Sequence, residues 1–464
     1  MRTPISALVT RPLTRHAAMV MVVAGLSGCA TLRATMGSYE LGPHGIARPQ
    51  QQLRDALARA DFAAALAWPE EDELLRELAL GASSYYAAQF GRSAAVLDSA
   101  ALLADDRVTT SLSSTALALV TNDLARPYQA RRTERLFIPY YGMMAYVRLG
   151  QWEDAAVEAR RLSALLTQYA ADRTDAERTT HATLHYLAGV VFERAGDGGE
   201  ANVAYRLAHA LLPPRGDTAR YASGEEGDIL VVVERGFVAH RATETMNVFL
   251  GESDHDSLAS DHRESKTGVA ARIAARLSHG GEWSGGPRAR GRHHGDDDEE
   301  EGGYWLSIAF PSVRRTASPA DETIVLVDGA SVPSVRVTSL LDDATVADAG
   351  RERTALIARA ITRAAAKYVV TKAVKDKKGG VAGSIANIGA SLLERADVRS
   401  WHVLPHEITL VRMHAPAGQH RLQLASGSGR DPIEIGPVAV RAGMVSIAAV
   451  RLWRDPSART IAER

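Results

Sequence analysis

The residues best suited to hold a metal are His293 and His294, which directly precede the run Asp296-Asp297-Asp298-Glu299-Glu300-Glu301. Imidazoles and carboxylates ligate divalent cations, but a site needs a rigid frame. This stretch is polar and broken by Gly280-Gly281, Gly285-Gly286 and Gly302-Gly303, so it reads as a solvated insertion with no metal site. His402 and His406 have i, i+4 spacing, yet Pro405 between them makes a helix unfavourable, and they read as structural. Asp397, Arg399 and Trp401 allow two readings. They could form a recognition spot, since Trp and Arg dominate binding hot spots. Alternatively, Asp397 and Arg399 pair to pin the entrance to a β-rich unit while Trp401 fills its core, which their place at a domain junction favours. Lys266-Thr267-Gly268 lacks a companion serine motif, and the mature chain contains no HExxH, GxxxxGK[ST] or GxSxG. The expectation is a non-enzymatic protein with no cofactor and no small-molecule substrate.

The 464 residues carry 54 Lys and Arg against 55 Asp and Glu, a balance unlike the strongly basic surface of a nucleic-acid binder. A 46% hydrophobic content is that of a globular chain with room for two or three domains. One cysteine excludes an internal disulfide and a cysteine-based zinc cluster.

That cysteine, Cys29, ends a leader. Arg2, Arg11 and Arg15 precede the apolar run 17–26, too short for the roughly 20 residues of a membrane span and suited to a signal peptide over 1–28. Leu26-Ser27-Gly28-Cys29 resembles the lipobox of bacterial lipoproteins, which implies cleavage before Cys29 and acylation of its thiol. Ala30 stands where an Asp often signals inner-membrane retention, so the resemblance implies the periplasmic face of the outer membrane. Residues 29–50 read as a tether.

Residues 51–214 read as a helical array. Gly189, Phe192, Gly196, Ala201, Tyr205, Ala208 and Pro213 fall at the spacing of a tetratricopeptide repeat, with small residues where two helices cross and bulky ones beside them. Tyr146, Gly150 and Ala155 repeat the pattern, and residues 55–67 and 74–101 look like eroded copies. The reading is an α-solenoid of three or four helix pairs whose concave face receives a partner. Tyr140, Tyr141, Tyr146, Arg160, Arg161 and Tyr186 are the candidates for that face, although tyrosines can equally be core spacers and arginines solvated surface.

Residues 215–394 read as mixed. Strands are expected at 227–234, 304–310, 323–327 and 334–337, with the polar insertion 251–303 between the first two. Ile357, Ala360, Ile361, Ala364 and Tyr368 mark one face of a helix ending in the basic run 372–378. That run could touch anionic lipid or wall polymer, but more simply is a solvated helix end. A short helix is expected around Ile385, Ile388 and Leu392. Residues 395–464 read as a small antiparallel β-sandwich with strands at 408–413, 419–424, 433–440 and 444–453. The fold class is therefore α+β and multidomain.

Tyr128 with Glu134-Arg135, residues 155–161 and 227–236, Arg359-Ala360-Ile361-Thr362-Arg363, Lys367, Ala396 through Trp401, and Leu404-Pro405 together resemble an uncharacterised family of proteobacterial lipoproteins with tetratricopeptide-like helices. The resemblance spans about 70–425 and marks Glu134, Arg135, Asp397, Arg399 and Trp401 as family-motif positions; the insertion 251–303 departs from it. It implies an outer-membrane lipoprotein, sometimes encoded near lipoprotein activators of peptidoglycan synthases. The expected function is a lipid-anchored periplasmic scaffold or adaptor that binds a protein partner in envelope or peptidoglycan assembly. The alternatives are a glycan- or lipid-binding module acting through the C-terminal sandwich, and a hydrolase with an unfamiliar site near Asp397 or His406.

Overall fold

Among the described residues, helices occupy the part up to 212 and strands dominate from 225 onward. The structure, a computed structural model, describes residues 46, 48–113, 126–212, 225–250, 272, 304–315, 323–378, 396–426 and 431–453. Cys29, the insertion residues His293 and His294 with the acidic run, Lys266-Thr267-Gly268 and the helix expected near 385–392 lie outside them. Among the described residues no helix is long and apolar enough to cross a membrane.

The helices are α1 (Arg48–Ala58), α2 (Phe62–Leu66), α3 (Glu73–Tyr86), α4 (Phe90–Ser113), α5 (Arg132–Leu149), α6 (Trp152–Gln168), α7 (Asp175–Arg194) and α8 (Gly198–Leu211). α1 begins inside the stretch assigned to the tether. Consecutive helices pair, and the tight turns after α5 and α7 use Gly150 and Gly196 at φ 73° and 86°, where a side chain would be strained. Within the last pair a Cβ on Gly189 would lie 2.8 Å from the Tyr205 ring, so the close crossing read from the sequence is enforced. The two members of a pair differ in burial. α5 and α7 are buried on nearly every side, whereas α6 buries one stripe (Ala155, Ala156, Ala159, Leu162, Leu166) and α8 only Ala201, Ala204 and Ala208. Something other than the paired helix must therefore cover α5 and α7.

The cover is a β-sheet of the same chain. The strands are β1 (Glu226–Arg235), β2 (His240–Leu250), β3 (Tyr304–Arg314), β4 (Thr323–Val327), β5 (Ala330–Ser331), β6 (Ser334–Leu340), β7 (Glu407–Pro416), β8 (Gly418–Ser426), β9 (Ile433–Val440) and β10 (Val445–Leu452). One sheet has the order β10-β1-β7-β6, the other β5-β4-β8-β9, and β2 pairs with β3 alone. β1 runs antiparallel to β7, with Val231 opposite Val411, and parallel to β10, with Val231 opposite Ala448. Its unbroken run Ile229 to Val233 is explained by burial on both faces. Leu230 and Val232 join Leu410, Val445, Trp401, Trp453 and the helices in one core. Ile229, Val231 and Val233 join Val411, Met413, Val325, Leu422 and Leu424 in a second core between the two four-stranded sheets. The resulting order of layers is outer helices, inner helices, sheet, sheet.

This arrangement corrects the expected division at residue 395. The strands after it do not form a separate antiparallel unit: β7 and β10 enclose β1, and β8 pairs with β4. A central strand with two apolar faces must lie between both layers, so the boundary cannot fall between 235 and 407. The last described helix, α9 (Leu341–Lys378), starts well before Ile357, the first residue of the face from which it was read, and packs on β3, α5 and α7.

Candidate functional site

Charged residues interrupt otherwise apolar strands where the helices meet the sheet, and each finds its partner across that seam. Glu234, at the end of β1, is 4% exposed and accepts the hydroxyls of Tyr140 (2.8 Å) and Tyr86 (2.9 Å), while Tyr86 and Tyr141 share a 2.6 Å bond. Arg451 of β10 lies 3.8 Å from Glu234, stacks 4.5 Å from the Trp453 ring centre, and donates to the carbonyls of Gly236 and Val403. Burial pushes Glu234 above the ordinary carboxyl range, with Arg451 and the two hydroxyls pulling it back. Desolvation likewise raises all three tyrosines well above their usual range, so they remain neutral donors.

A second knot ties the last helix pair. Arg412, in the middle of β7, donates to Asp228 of β1 (2.8 Å through Nε), to both carboxylate oxygens of Glu193 on α7 (2.9 and 3.0 Å) and to the hydroxyl of Tyr205 on α8 (2.8 Å). At the other end Arg54 of α1, also buried, donates to the carbonyls of Val238 (2.7 Å) and His402 (3.1 Å); desolvation lowers its pKa to about 9. Buried cations paired in this way are costly to strand singly, so each knot fixes the helices in one position on the sheet.

Glu134, Asp397, Arg399 and Trp401, the first more than 260 positions from the others in sequence, meet in a third cluster. Asp397 accepts both Nε (2.9 Å) and Nη2 (2.8 Å) of Arg399. Burial alone would raise Asp397, but the Arg399 fork holds it below the usual carboxylate range. Arg399 also donates to the carbonyl of Arg126 (2.8 Å), and its own carbonyl accepts from Arg131 (3.2 Å). Glu134 accepts the backbone N–H of Trp401 and that of Arg131, both at 2.8 Å. Asp72 accepts from Arg107 and the Tyr128 N–H, each at 2.8 Å, and lies 3.8 Å from Arg399. Arg135 points away from this cluster to Asp105. The ion-pair reading of Asp397 and Arg399 matches this geometry, with one difference: Trp401 fills the core between helices and sheet, not the core of the sandwich. A cavity of about 20 Å³, room for a single water, adjoins Arg131, Glu134, Asp348 and Trp401. Burial raises Asp348 to about 6 although the Thr133 N–H (2.8 Å) stabilises its charge.

The placement of the other expected site residues corrects the concave-face reading. Tyr140, Tyr141 and Tyr186 are 1%, 0% and 4% exposed, turned into the chain's own core, and cannot meet a partner there. A row of tyrosines on the inner helices serves the sheet instead. Tyr146 is partly buried, while Arg160 and Arg161 are on the outer surface, paired with Asp197 (2.8 Å) and Asp98 (2.7 Å). Beside Arg161, the buried Glu158 accepts from it at 2.7 Å; burial outweighs that bond and raises the carboxyl to about 7. Gly142 leaves room for Glu158, since a Cβ there would lie 3.3 Å from its Cγ.

His402 contacts Ser400 Oγ at 3.1 Å, and desolvation pushes its pKa well below the usual value; His406 is lowered to about 4 by the same cause. Both imidazoles are therefore neutral at pH 7. Among the described residues no three His, Cys, Asp or Glu side chains are grouped to hold a metal. Sequence reading missed Glu234, Arg412 and Arg451; the available signal was a charge inside an apolar strand, as in Leu410-Val411-Arg412-Met413 and Ala449-Val450-Arg451-Leu452. No protein-family model, curated protein or solved structure matches the chain.

Proposed function

We propose that the protein is a lipid-anchored scaffold on the periplasmic face of the bacterial outer membrane, held by an acylated Cys29. On this reading its helical half is a tetratricopeptide-like solenoid, its paired sheets are a β-sandwich, and its task is to hold a protein partner in envelope or peptidoglycan assembly. The observation that carries the partner surface is the sealing of the inner helices by the sheet, which leaves the outer helices to make contacts. There Val157 on α6, one turn before Arg160 and Arg161, and Val203 and Leu207 on α8 are 46%, 41% and 42% exposed, apolar side chains of the kind that an interface core buries.

Two measurements test this. Cys29→Ser is expected to abolish palmitate labelling and to release the protein into the soluble fraction of membranes washed at high salt; unchanged retention through that wash would overturn the anchoring. A photoreactive residue at Val157 or Leu207 is expected to crosslink another protein in cells, whereas one at Tyr141 is not. Crosslinking from Tyr141 alone would return the partner to the inner face.

A further inference from the structure

Three elements form an arm whose far end is basic. β2 and β3 pair only with each other among the described residues, and α9 lies along β3. At the root, Arg315 donates to Asp343 (2.6 Å) and the Ala239 N–H to Asp342 (2.6 Å). Further along, the Arg353 guanidinium sits 5.7 Å from the Phe310 ring centre. Between these two contacts five strand residues match ten helix residues, as rises of about 3.3 and 1.5 Å per residue require for antiparallel neighbours. Continued to the end of β3, that step brings the pair Leu250 and Tyr304 level with roughly residue 366 of α9.

The helix continues to Lys378, about 18 Å further. From Arg363 to Lys378 it carries six basic residues and one acid, in a chain of net charge −1. The strand ends level with this region hold Phe249 opposite Trp305 and Leu250 opposite Tyr304. Lysine together with Trp, Tyr and Phe is the composition that settles at an anionic membrane surface.

We propose that the far end of this arm docks on an anionic phospholipid surface and orients the body against the membrane. The root lies close to the first described helix: Arg54 of α1 binds the Val238 carbonyl, one residue before Ala239. The 19 residues from Cys29 to position 47 reach at most about 60 Å, and α9 is about 57 Å long, so tether and arm can touch one membrane together. That last step rests on acylation of Cys29; the docking itself does not.

The test therefore uses soluble Cys29→Ser protein and sedimentation with two vesicle types, phosphatidylcholine alone and phosphatidylcholine with phosphatidylglycerol. Binding is expected only to the second and should weaken as salt is raised. A basic residue near such a surface contributes about a fivefold factor. Replacing Lys372, Lys375, Lys377 and Lys378 together by Gln is then expected to weaken binding by two to three orders of magnitude, with the far-ultraviolet spectrum unchanged. The salt series on the unsubstituted chain reads the same property if that variant fails to fold. No binding, equal binding to both vesicle types, or unchanged affinity of the quadruple variant would overturn the proposal. Binding that emerges only after deletion of residues 296–301 would overturn it too, by assigning the basic helix to the chain's own acidic run. Palmitate labelling, and retention through a high-salt wash that weakens docking by the basic arm, bear on the anchor alone, so the two ideas can fail separately.

Discussion

Replacing Glu234 by Gln tests the seam at its most buried point. The change keeps the side chain's shape and removes its charge. Glu234 accepts two tyrosine hydroxyls, at 2.8 and 2.9 Å, and is the carboxylate nearest Arg451 in the knot. A glutamine offers one acceptor oxygen, so one hydroxyl meets an NH₂ group and loses a bond worth about 1.5–3 kcal/mol. Removing one member of a buried pair costs about 3–5 kcal/mol. Here the loss is smaller, because Arg451 keeps two carbonyls and three ring faces. These effects overlap, and the expected destabilisation is about 2–4 kcal/mol. Urea unfolding of the variant and of Glu234→Gln/Arg451→Met measures it, and the double variant should be less destabilised than the sum of its singles by at least about 1 kcal/mol. As a reference, Arg160→Ala breaks an exposed pair with Asp197 and a contact with the Phe192 ring, and should cost about 1 kcal/mol. A Glu234→Gln effect within about 0.5 kcal/mol, the level of an ordinary surface change, would refute the reasoning.

Gly189→Ala forces a Cβ to within 2.8 Å of the Tyr205 ring and should cost about 1–3 kcal/mol by thermal unfolding, with part of the loss recovered by Tyr205→Leu. Glu158 makes stability fall with pH. Its folded pKa of about 7 lies above the ordinary 4.5, so the folded state holds the proton more tightly. The stabilisation is complete below about pH 4.5 and is lost as pH rises through 7. Glu158→Gln should flatten that part of the curve and gain about 2–3 kcal/mol over the original chain between pH 5 and 8, read as the difference of two urea titrations. Parallel curves would show that Glu158 does not titrate there.

Much of the fold was legible because local pattern and burial agreed. The β-branched run of β1 and the turns at Asp328-Gly329 and Gly443 announced strands whose ends the structure shifts by a few residues. β2 escaped because Glu244 interrupts the alternation of Ala242, Met246, Val248 and Leu250. The start of α9 was missed although Asp342 and Asp343 occupy its first turn, where acids favour a helix N-terminus. The occupant of the tyrosine face could not be read locally. Tyr140 and Glu234 are 94 positions apart, and a tyrosine that would welcome a foreign peptide is the same residue that donates to a carboxylate of its own sheet. Pairing across the motif cluster was legible only between Asp397 and Arg399, two residues apart; the grip of Glu134 on the Trp401 backbone depends on how helix and sheet dock.

Hydrogen exchange read by mass spectrometry across α5 and β1 of the full chain tests the covered inner face most directly. If the sheet seals that helix, peptides from 132–149 and 226–235 should exchange only through one shared opening, with the same free energy and the same denaturant dependence. Exchange of α5 at an energy well below that of β1 would show helices that stand without the sheet, and would contradict the account.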